Sequence, residues 1–566
     1  MHFEDVRTWI AQDPDPQTAA ELSELLAVAG GTGAEATEAV AELTDRFRGP
    51  LEFGTAGLRG ALGAGPNRMN RAVVIRTTAG LAVYLTAQLD GQAPRVVVGY
   101  DARHGSATFA EDAAAVLTGA GAEALLLPEA GPTPVLAFAV RDLGADAGIM
   151  VTASHNPRED NGYKVYLGGR VVTDAGQGAQ LVAPADAAIA AQIATVPGAT
   201  EVPRPGSGWQ LLDGAVAERY LARVAAQVPT GYARDLRIVY TPMHGVGGAT
   251  AVAALARAGF SDVLVVPQQA EPDPDFPTVA FPNPEEPGAL DLALHLAVHE
   301  SADLIIANDP DADRCSVAVP DRDAAGGWRQ LTGDEVGSLL GEQAAITGAV
   351  VGGGVLASSV VSSRLLAKIA ASHGLQHRTT LTGFKWISRV PGLVFGYEEA
   401  QGYCVDPAAV RDKDGISAAV RVALLASQLT DRGWTLGDAL DAIAARHGLH
   451  ATAPLTLRVS DVSVIAPVMA RLRERGPASL AGSPVVHTVD LSLGEGDLPP
   501  TDGLVFVTAA EDRVVVRPSG TEPKLKCYLE VIVPAADRAQ VPAARRAASA
   551  RLETIRAELA ATIGLG

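Results

Sequence analysis

The sequence predicts an α/β protein with three similar mixed α/β domains and a smaller α+β C-terminal domain. Three observations lead there. Short β-branched apolar runs alternate with Ala-rich stretches of helical composition, and this order recurs three times. Continuous apolar runs separated by helices belong to parallel strands covered on both faces. From Ala453 onward the pattern changes to strand-like runs around a basic turn, followed by one long helical stretch. The length, 566 residues, exceeds what a single hydrophobic core supports.

The first repeat begins with the strand-like run in Pro94–Ala102 and continues with a helical segment over Thr108–Leu125. It ends in the apolar run Ala147–Thr152, which delivers Ser154. In the second, RIVY after Leu236 is a strand, Gly247–Phe260 a helix, and DLIIAND a strand ending at Asp309. The third reads as a strand at AVVGGG from Ala349, a helix over Leu356–Ala371, and GLVFGYEEA, a strand ending at Glu398. Spacings differ among the three, which indicates divergence and not a solenoid. The last part has LTLRVS, a helix near Val464–Arg475, and two strands flanking RPSGTEPKLK. Breaks fall at Val202–Trp209, Val319–Trp328 and His447–Gly448, giving domains at 1–205, 206–325, 326–450 and 451–566. Ligands of such sheets bind just outside the carboxyl ends of the strands, so each domain offers one polar loop there.

Composition removes several classes of function. A net charge of −20 argues against general nucleic-acid binding, which needs basic surface. It leaves anionic small molecules open, since charges beyond a Debye length of about 8 Å are largely screened. Three dispersed cysteines without a CxxC pair are neither a disulfide framework nor a zinc site. The acidic N-terminus lacks a signal-peptide core, and no long window is free of charges and breakers. The expectation is a soluble cytoplasmic protein with a small-molecule ligand, monomeric or weakly dimeric.

The four loops carry the chemistry. In TASHNPREDNGYK, Ser154 and His155 are neighbours at a strand end. A serine hydroxyl needs a base or metal to act as a nucleophile; a serine before an Asn-Pro turn also simply caps a helix. In NDPDADR, Asp309, Asp311 and Asp313 alternate in a tight loop. Three such charges do not all stay ionised without a cation, and hard oxygen ligands suit Mg²⁺. The EF-hand pattern fails, because Arg314 and Pro320 stand where Gly and Glu are required. A phosphatase with an aspartate nucleophile remains compatible with the DxD spacing. In GYEEAQGY, Glu398 and Glu399 suit sugar hydroxyls, and a surface turn explains them equally well. In RPSGTEPKLK, Arg517 offers planar donors, Ser519 and Thr521 hydroxyls, Gly520 close backbone approach, and Lys524 and Lys526 charge. These are groups that recognise phosphate.

Taken together, the loops hold the parts needed to move a phosphoryl group on a phosphosugar. The sequence resembles the α-D-phosphohexomutase superfamily, above all its phosphoglucomutase/phosphopentomutase-like branch. The motifs run collinearly along nearly the whole chain: FGTAGLRG from Phe53, GYDAR, TASHNP with NGYKVY, TPMHGVGG, FPNPEE, NDPDADR, TGFKWI, GYEEA, DKDG and RPSGTEPK. The resemblance implies four domains around a central cleft and a phosphorylated Ser154. It implies one Mg²⁺ per chain held by Asp309, Asp311, Asp313 and the phosphate on Ser154. Arg59 and Arg314 would support the phosphoryl group, and Lys164 would be the general base with His155 beside it. Glu398 and Lys385 would contact the sugar; Arg517, Ser519, Gly520 and Thr521 would hold the substrate phosphate. The implied reaction interconverts glucose 1-phosphate and glucose 6-phosphate through a sugar bisphosphate, which also acts as activator. Ala400 replaces a serine common in glucose- and mannose-acting relatives, which keeps pentose and mannose phosphates open. A metal-dependent phosphatase is the rival reading.

Overall fold

The computed structural model describes residues 2–229, 234–459, 462–518 and 524–564. The chain forms two compact units, Met1–Gln330 with Gly402–Leu424, and Leu331–Gln401 with Leu425–Gly566. Among the described residues no helix is long and apolar enough to cross a membrane.

The first unit contains two sheets. In one, the strands follow the order Leu58–Ala61, Asp160–Leu167, Ala147–Val151, Arg95–Tyr100, Glu123–Leu126, Gln210–Leu211. Ala147–Val151 and Glu123–Leu126 lie parallel to Arg95–Tyr100, and Asp160–Leu167 runs antiparallel to Ala147–Val151. Val96, Val98, Ile149, Val151 and Val165 fill the core beneath it. The second sheet follows Trp328–Gln330, Cys315–Pro320, Leu304–Asn308, Ile238–Thr241, Val263–Val265. Its central strands are parallel, and Cys315–Pro320 turns back antiparallel on Leu304–Asn308. The hairpin between those two strands is the NDPDADR loop.

In the second unit, Val355–Ser359 lies between Gln376–Thr380 and Leu393–Glu398, all parallel. A six-stranded antiparallel sheet follows, ordered Leu449–Arg458, Lys524–Val533, Arg513–Pro518, Leu504–Thr508, Ser483–Asp490, Ser479–Leu480. Ile465–Glu474 and Val541–Ile563 pack on it through Met469, Leu472, Leu552 and Leu559. The α+β expectation for this region holds.

Three differences from the sequence reading have physical causes. The strand expected at Ala349–Gly354 is the end of helix Gly333–Val351, closed by Gly352 at φ 91°, and the strand starts at Val355. A three-residue apolar run does not distinguish helix from strand. The helix expected over Leu356–Ala371 therefore begins later, at Leu365–Ser372. The Thr108–Leu125 segment divides into helix Ser106–Gly119 and strand Glu123–Leu126, because Gly121 at φ 79° makes the turn between them. The N-terminal helices Phe3–Gln12, Pro16–Ala29 and Ala34–Arg46, which pack through Val6, Leu22 and Leu43, have no counterpart in the sequence reading.

The turn after Ile238–Thr241 binds the second sheet to its acidic loop. Met243 and His244 take φ 51° and 60°, and the Val246 amide donates to the Pro310 carbonyl at 2.8 Å. A Cβ on Gly245 would meet Pro310 Cα at 2.3 Å. Gly245→Ala is expected to cost about 1–3 kcal/mol through overpacking; urea unfolding of the purified variant checks this, and unchanged stability would refute the backbone-to-backbone fit.

Candidate active site

Two strand ends of the first unit bring the acidic loop to Ser154. Ser154 follows Ala147–Val151 and sits at φ 53°, a region L-residues other than Gly rarely adopt. Its amide donates to Thr152 Oγ1 at 2.9 Å. Its hydroxyl donates to Asp309 Oδ2 at 2.9 Å and lies 3.2 Å from His155 Nδ1. Asp309 closes strand Leu304–Asn308, and its Oδ1 accepts the Arg314 amide at 2.9 Å.

Asp309, Asp311 and Asp313 are all fully buried, and one oxygen from each lies within 4.8 Å of the others. Lys164, also fully buried, projects from Asp160–Leu167 and donates to Asp311 Oδ2 at 2.6 Å and Asp313 Oδ2 at 2.9 Å. Lys413, from the DKDG stretch, stands 3.2 Å from Asp313 Oδ2. Thr133 Oγ1 donates to Asp311 Oδ2 at 2.6 Å. Burial, then the charges of Asp311 and Asp313, push the Asp309 carboxyl up to about 8. Burial is the largest influence and opposes ionisation of Asp311 and Asp313 too, but Lys164, joined by the Thr133 hydroxyl at Asp311 and by Lys413 and Arg314 at Asp313, holds both below the usual carboxylate range. Burial likewise disfavours the Lys164 ammonium, and the same two carboxylates overcome this, so its affinity for the proton is raised.

A divalent cation fits these residues. Oδ1 of Asp311 and Oδ1 of Asp313 are buried and accept no hydrogen bond among the described residues, although buried carboxylate oxygens are normally satisfied. All three donors are hard oxygens, the set that Mg²⁺ takes.

Two arginines flank the loops. Arg59 Nη1 donates to Asn156 Oδ1 at 2.9 Å, fastening strand Leu58–Ala61 to the Ser154 loop. Arg314 Nε lies 3.9 Å from Asp309 Oδ2, and its Nη1 lies 3.5 Å from Glu285 Oε2 in the FPNPEE stretch. The first unit thus gathers six of the residues singled out from sequence, namely Ser154, His155, Lys164 and the three aspartates, with both arginines at their edge. Sequence reasoning assigns no role to Thr133, Lys413 or Arg103. Lys413 lies within the DKDG motif, whereas nothing local marks Thr133.

In the second unit Glu398 ends strand Leu393–Glu398 and is buried. Glu399 Oε2 accepts from Ser359 Oγ at 3.0 Å and Ser362 Oγ at 3.1 Å. Burial, with the charges of Glu398 and Asp334, pushes the Glu399 carboxyl up to about 7. Lys385 lies in the short helix Phe384–Ile387. Arg517 is opposite Lys526 in the antiparallel register, so two cations share one sheet face. Ser519, Gly520 and Thr521 lie outside the described residues.

Comparison with known proteins gives concordant results. Models described as phosphoglucomutase/phosphomannomutase alpha/beta/alpha domains I, II and III and C-terminal domain match residues 50–196, 218–324, 332–447 and 469–548. A probable phosphomannomutase of Haemophilus influenzae is 46% identical over 466 residues, covering 82% of this chain and 93% of its own. A phosphopentomutase of Mus musculus is 34% identical over 592 residues, covering 94% and 90%. The solved structure of a putative phosphomannomutase from Thermus thermophilus superposes with a TM-score of 0.68 at 25% identity, covering 90% of this chain and 99% of that one.

The Lys164 ion pairs yield a test. Removing one partner of a buried pair typically costs about 3–5 kcal/mol. Lys164→Met is therefore expected to lose stability of that order in chelator and to recover much of it in millimolar Mg²⁺. Thermal melts in both buffers check this; equal losses in the two would refute a cation-binding role for the carboxylates.

Proposed function

The chain belongs to the phosphoglucomutase/phosphomannomutase family of the α-D-phosphohexomutase superfamily, and we propose that it interconverts glucose 1-phosphate and glucose 6-phosphate through a phosphorylated Ser154. Its relatives are mutases, and as an enzyme it is an intramolecular phosphotransferase. The observation that carries the proposal is the 2.9 Å contact of the Ser154 hydroxyl with Asp309 inside the buried carboxylate cluster.

In the resting enzyme Ser154 carries the phosphoryl group, adding about −1.5 to −2 charges at neutral pH. Arg517 and its neighbours grip the phosphate already on the substrate. The opposite sugar hydroxyl attacks phosphorus, the P–Oγ bond breaks, and the electron pair returns to Ser154. Bound Mg²⁺ would supply neutralising charge on the transferred oxygens and would compete with Lys164 for Asp311 and Asp313. Lys164 Nζ, held 2.6 Å from Asp311 and 2.9 Å from Asp313, is the group assigned to take the hydroxyl proton, and any weakening of those two pairs would lower its proton affinity and favour that role. His155 lies beside the serine as the alternative acceptor. Arg59 and Arg314 balance charge around the serine. The product of this half-reaction is a sugar bisphosphate. It reorients, presents its other phosphate, and returns that group to Ser154. Free bisphosphate rephosphorylates any enzyme that has lost its phosphate, and so acts as activator. Glu398 and Lys385 hold the sugar in either orientation.

The hexose reading is supported by the names of the four matched domain models and of the Haemophilus relative. A second reading, ribose 1-phosphate to ribose 5-phosphate, is supported by the mouse relative and by Ala400, which removes one hydroxyl from the sugar loop.

Ser154→Ala is expected to abolish isomerisation and the covalently bound phosphate. Phosphorus NMR with glucose 1-phosphate, mannose 1-phosphate and ribose 1-phosphate side by side, each with a trace of bisphosphate, reads both activity and preference. An active alanine variant would end the phosphoserine mechanism, and inorganic phosphate as sole product would favour a phosphatase. Arg517→Ala is expected to raise KM about tenfold or more in both directions, the loss of a charge-assisted contact, with Ser154 still phosphorylated by intact mass. An unchanged KM would remove Arg517 from phosphate recognition.

A further inference from the structure

We propose that Arg103 is the positioning residue that holds the Ser154 loop in its reactive shape, an inference that rests on the mutase reading above. Arg103 lies in the turn after strand Arg95–Tyr100, and its side chain is only 1% exposed. Its Nη2 donates to the carbonyl oxygens of Ser154 at 2.6 Å and Asn156 at 2.5 Å. Its Nη1 donates to those of Pro157 at 2.7 Å and Asp160 at 3.0 Å. One guanidinium thus takes four carbonyls from the seven residues 154–160. None of these acceptors is charged, so the arrangement reads main-chain shape.

The guanidinium is itself fixed. Asp101 Oδ2 lies 3.5 Å from its Nε, and the Phe276 ring lies beneath it at 5.0 Å. Asp101 Oδ1 accepts from the Arg103 amide at 3.0 Å and Ser106 Oγ at 2.6 Å. Asn161, at the far end of the loop, donates to the His104 carbonyl at 2.8 Å. The clamp has a local purpose: Ser154 sits at φ 53°, a strained conformation for a residue other than Gly that persists only where surroundings over-determine it. The same backbone angle carries Oγ to its 2.9 Å contact with Asp309.

A purely structural arginine would affect stability alone. A positioning arginine affects the chemical step, because a misplacement of about 1 Å costs on the order of 10²-fold in rate. Lysine separates the two roles. It keeps the charge beside Asp101, but its single nitrogen does not span four carbonyls as a planar fork does.

The test uses the full-length phosphorylated enzyme as wild type, Arg103→Lys and Phe276→Leu, with whichever sugar 1-phosphate the wild type turns over. Arg103→Lys is expected to lower kcat about 10²-fold while KM stays within about threefold, the signature of an interaction made for the transition state. Inorganic phosphate released per isomerisation is expected to rise. Phe276→Leu removes the ring under the guanidinium without touching its four acceptors; it is expected to loosen the guanidinium plane and lower kcat severalfold with the same split. A folded Arg103→Lys with wild-type kcat, or with KM alone raised, overturns the proposal. If Arg103→Lys fails to fold, wild-type kcat in Phe276→Leu overturns it. A wild type that isomerises no sugar phosphate removes the mutase reading and this inference with it, whereas an active wild type beside an equally active Arg103→Lys removes this inference alone.

Discussion

Three carboxylates share a fully buried volume at the end of strand Leu304–Asn308, and most of what surrounds them answers that constraint. At about 4 Å, each like-charge pair repels by roughly 4 kcal/mol at an effective dielectric of about 20. Lys164 and Lys413 pair closely with Asp311 and Asp313, whereas the Arg314 guanidinium stands 3.9 Å from Asp309. The deficit falls on Asp309, whose carboxyl is pushed up while those of Asp311 and Asp313 are held down. Asp309 is also the aspartate that meets Ser154. The least compensated carboxylate and the serine hydroxyl are therefore partners, and Oδ1 of Asp311 and of Asp313 still have no donor among the described residues. A cation bound there and a phosphoryl group on Ser154, as proposed, would offset one another's charge, so each would make the site more hospitable to the other.

The serine reaches this cluster because of how the sheets end. Ala147–Val151 and Leu304–Asn308 are inner strands, buried at every position, so their carboxyl ends cannot shift without disturbing packed cores. The loops beyond them are less regular. Ser154 and Ala312 both take positive φ, and the loops survive because main-chain groups are fastened from outside: Arg103 on one, the Asn308 amide and the Thr133 amide on the other. Rigid strand ends give position, and buried polar contacts give the loops a single shape. Neither effect alone would keep Oγ within hydrogen-bonding distance of Asp309.

Much of this is legible in the sequence, for reasons that vary by residue. Ser154 and the three aspartates stand out because apolar runs precede them and their spacing is tight. The repeat of strand and helix reveals the fold class because it depends on composition over long windows. Short segments mislead where a few apolar residues fit either period, as at Ala349–Val351, which belongs to a helix. Arg103 lies within the GYDAR motif, but its role does not follow from it, because the carbonyls it grips begin 51 positions away. Thr133 is not recognisable as a site residue, since its partner lies 178 positions away and no local pattern encodes a contact of that separation. Lys164 is singled out by resemblance, but its two ion pairs follow from the antiparallel pairing of Asp160–Leu167 with Ala147–Val151, a register that residue types alone do not fix.

The second unit shows how an adjacent pair of like residues divides its work. Glu398 and Glu399 look equivalent in the string GYEEA. In the fold, Glu399 spends Oε2 on Ser359 and Ser362, and burial with two neighbouring charges raises its proton affinity to about 7. Near neutral pH it is thus partly protonated and internally bonded, a support for the loop. Glu398 spends neither oxygen on these serines and keeps its capacity to accept hydrogen bonds. Arg517 and Lys526 pose the complementary problem, since like charges directly across a strand pair repel and hold their alignment at a cost that an anion between them relieves. A sugar phosphate carries the groups both places lack, hydroxyl donors for one and phosphate oxygens for the other. Two such deficits in one unit are harder to attribute to accident than either alone, and they are the physical support for the proposal that this half of the chain recognises substrate.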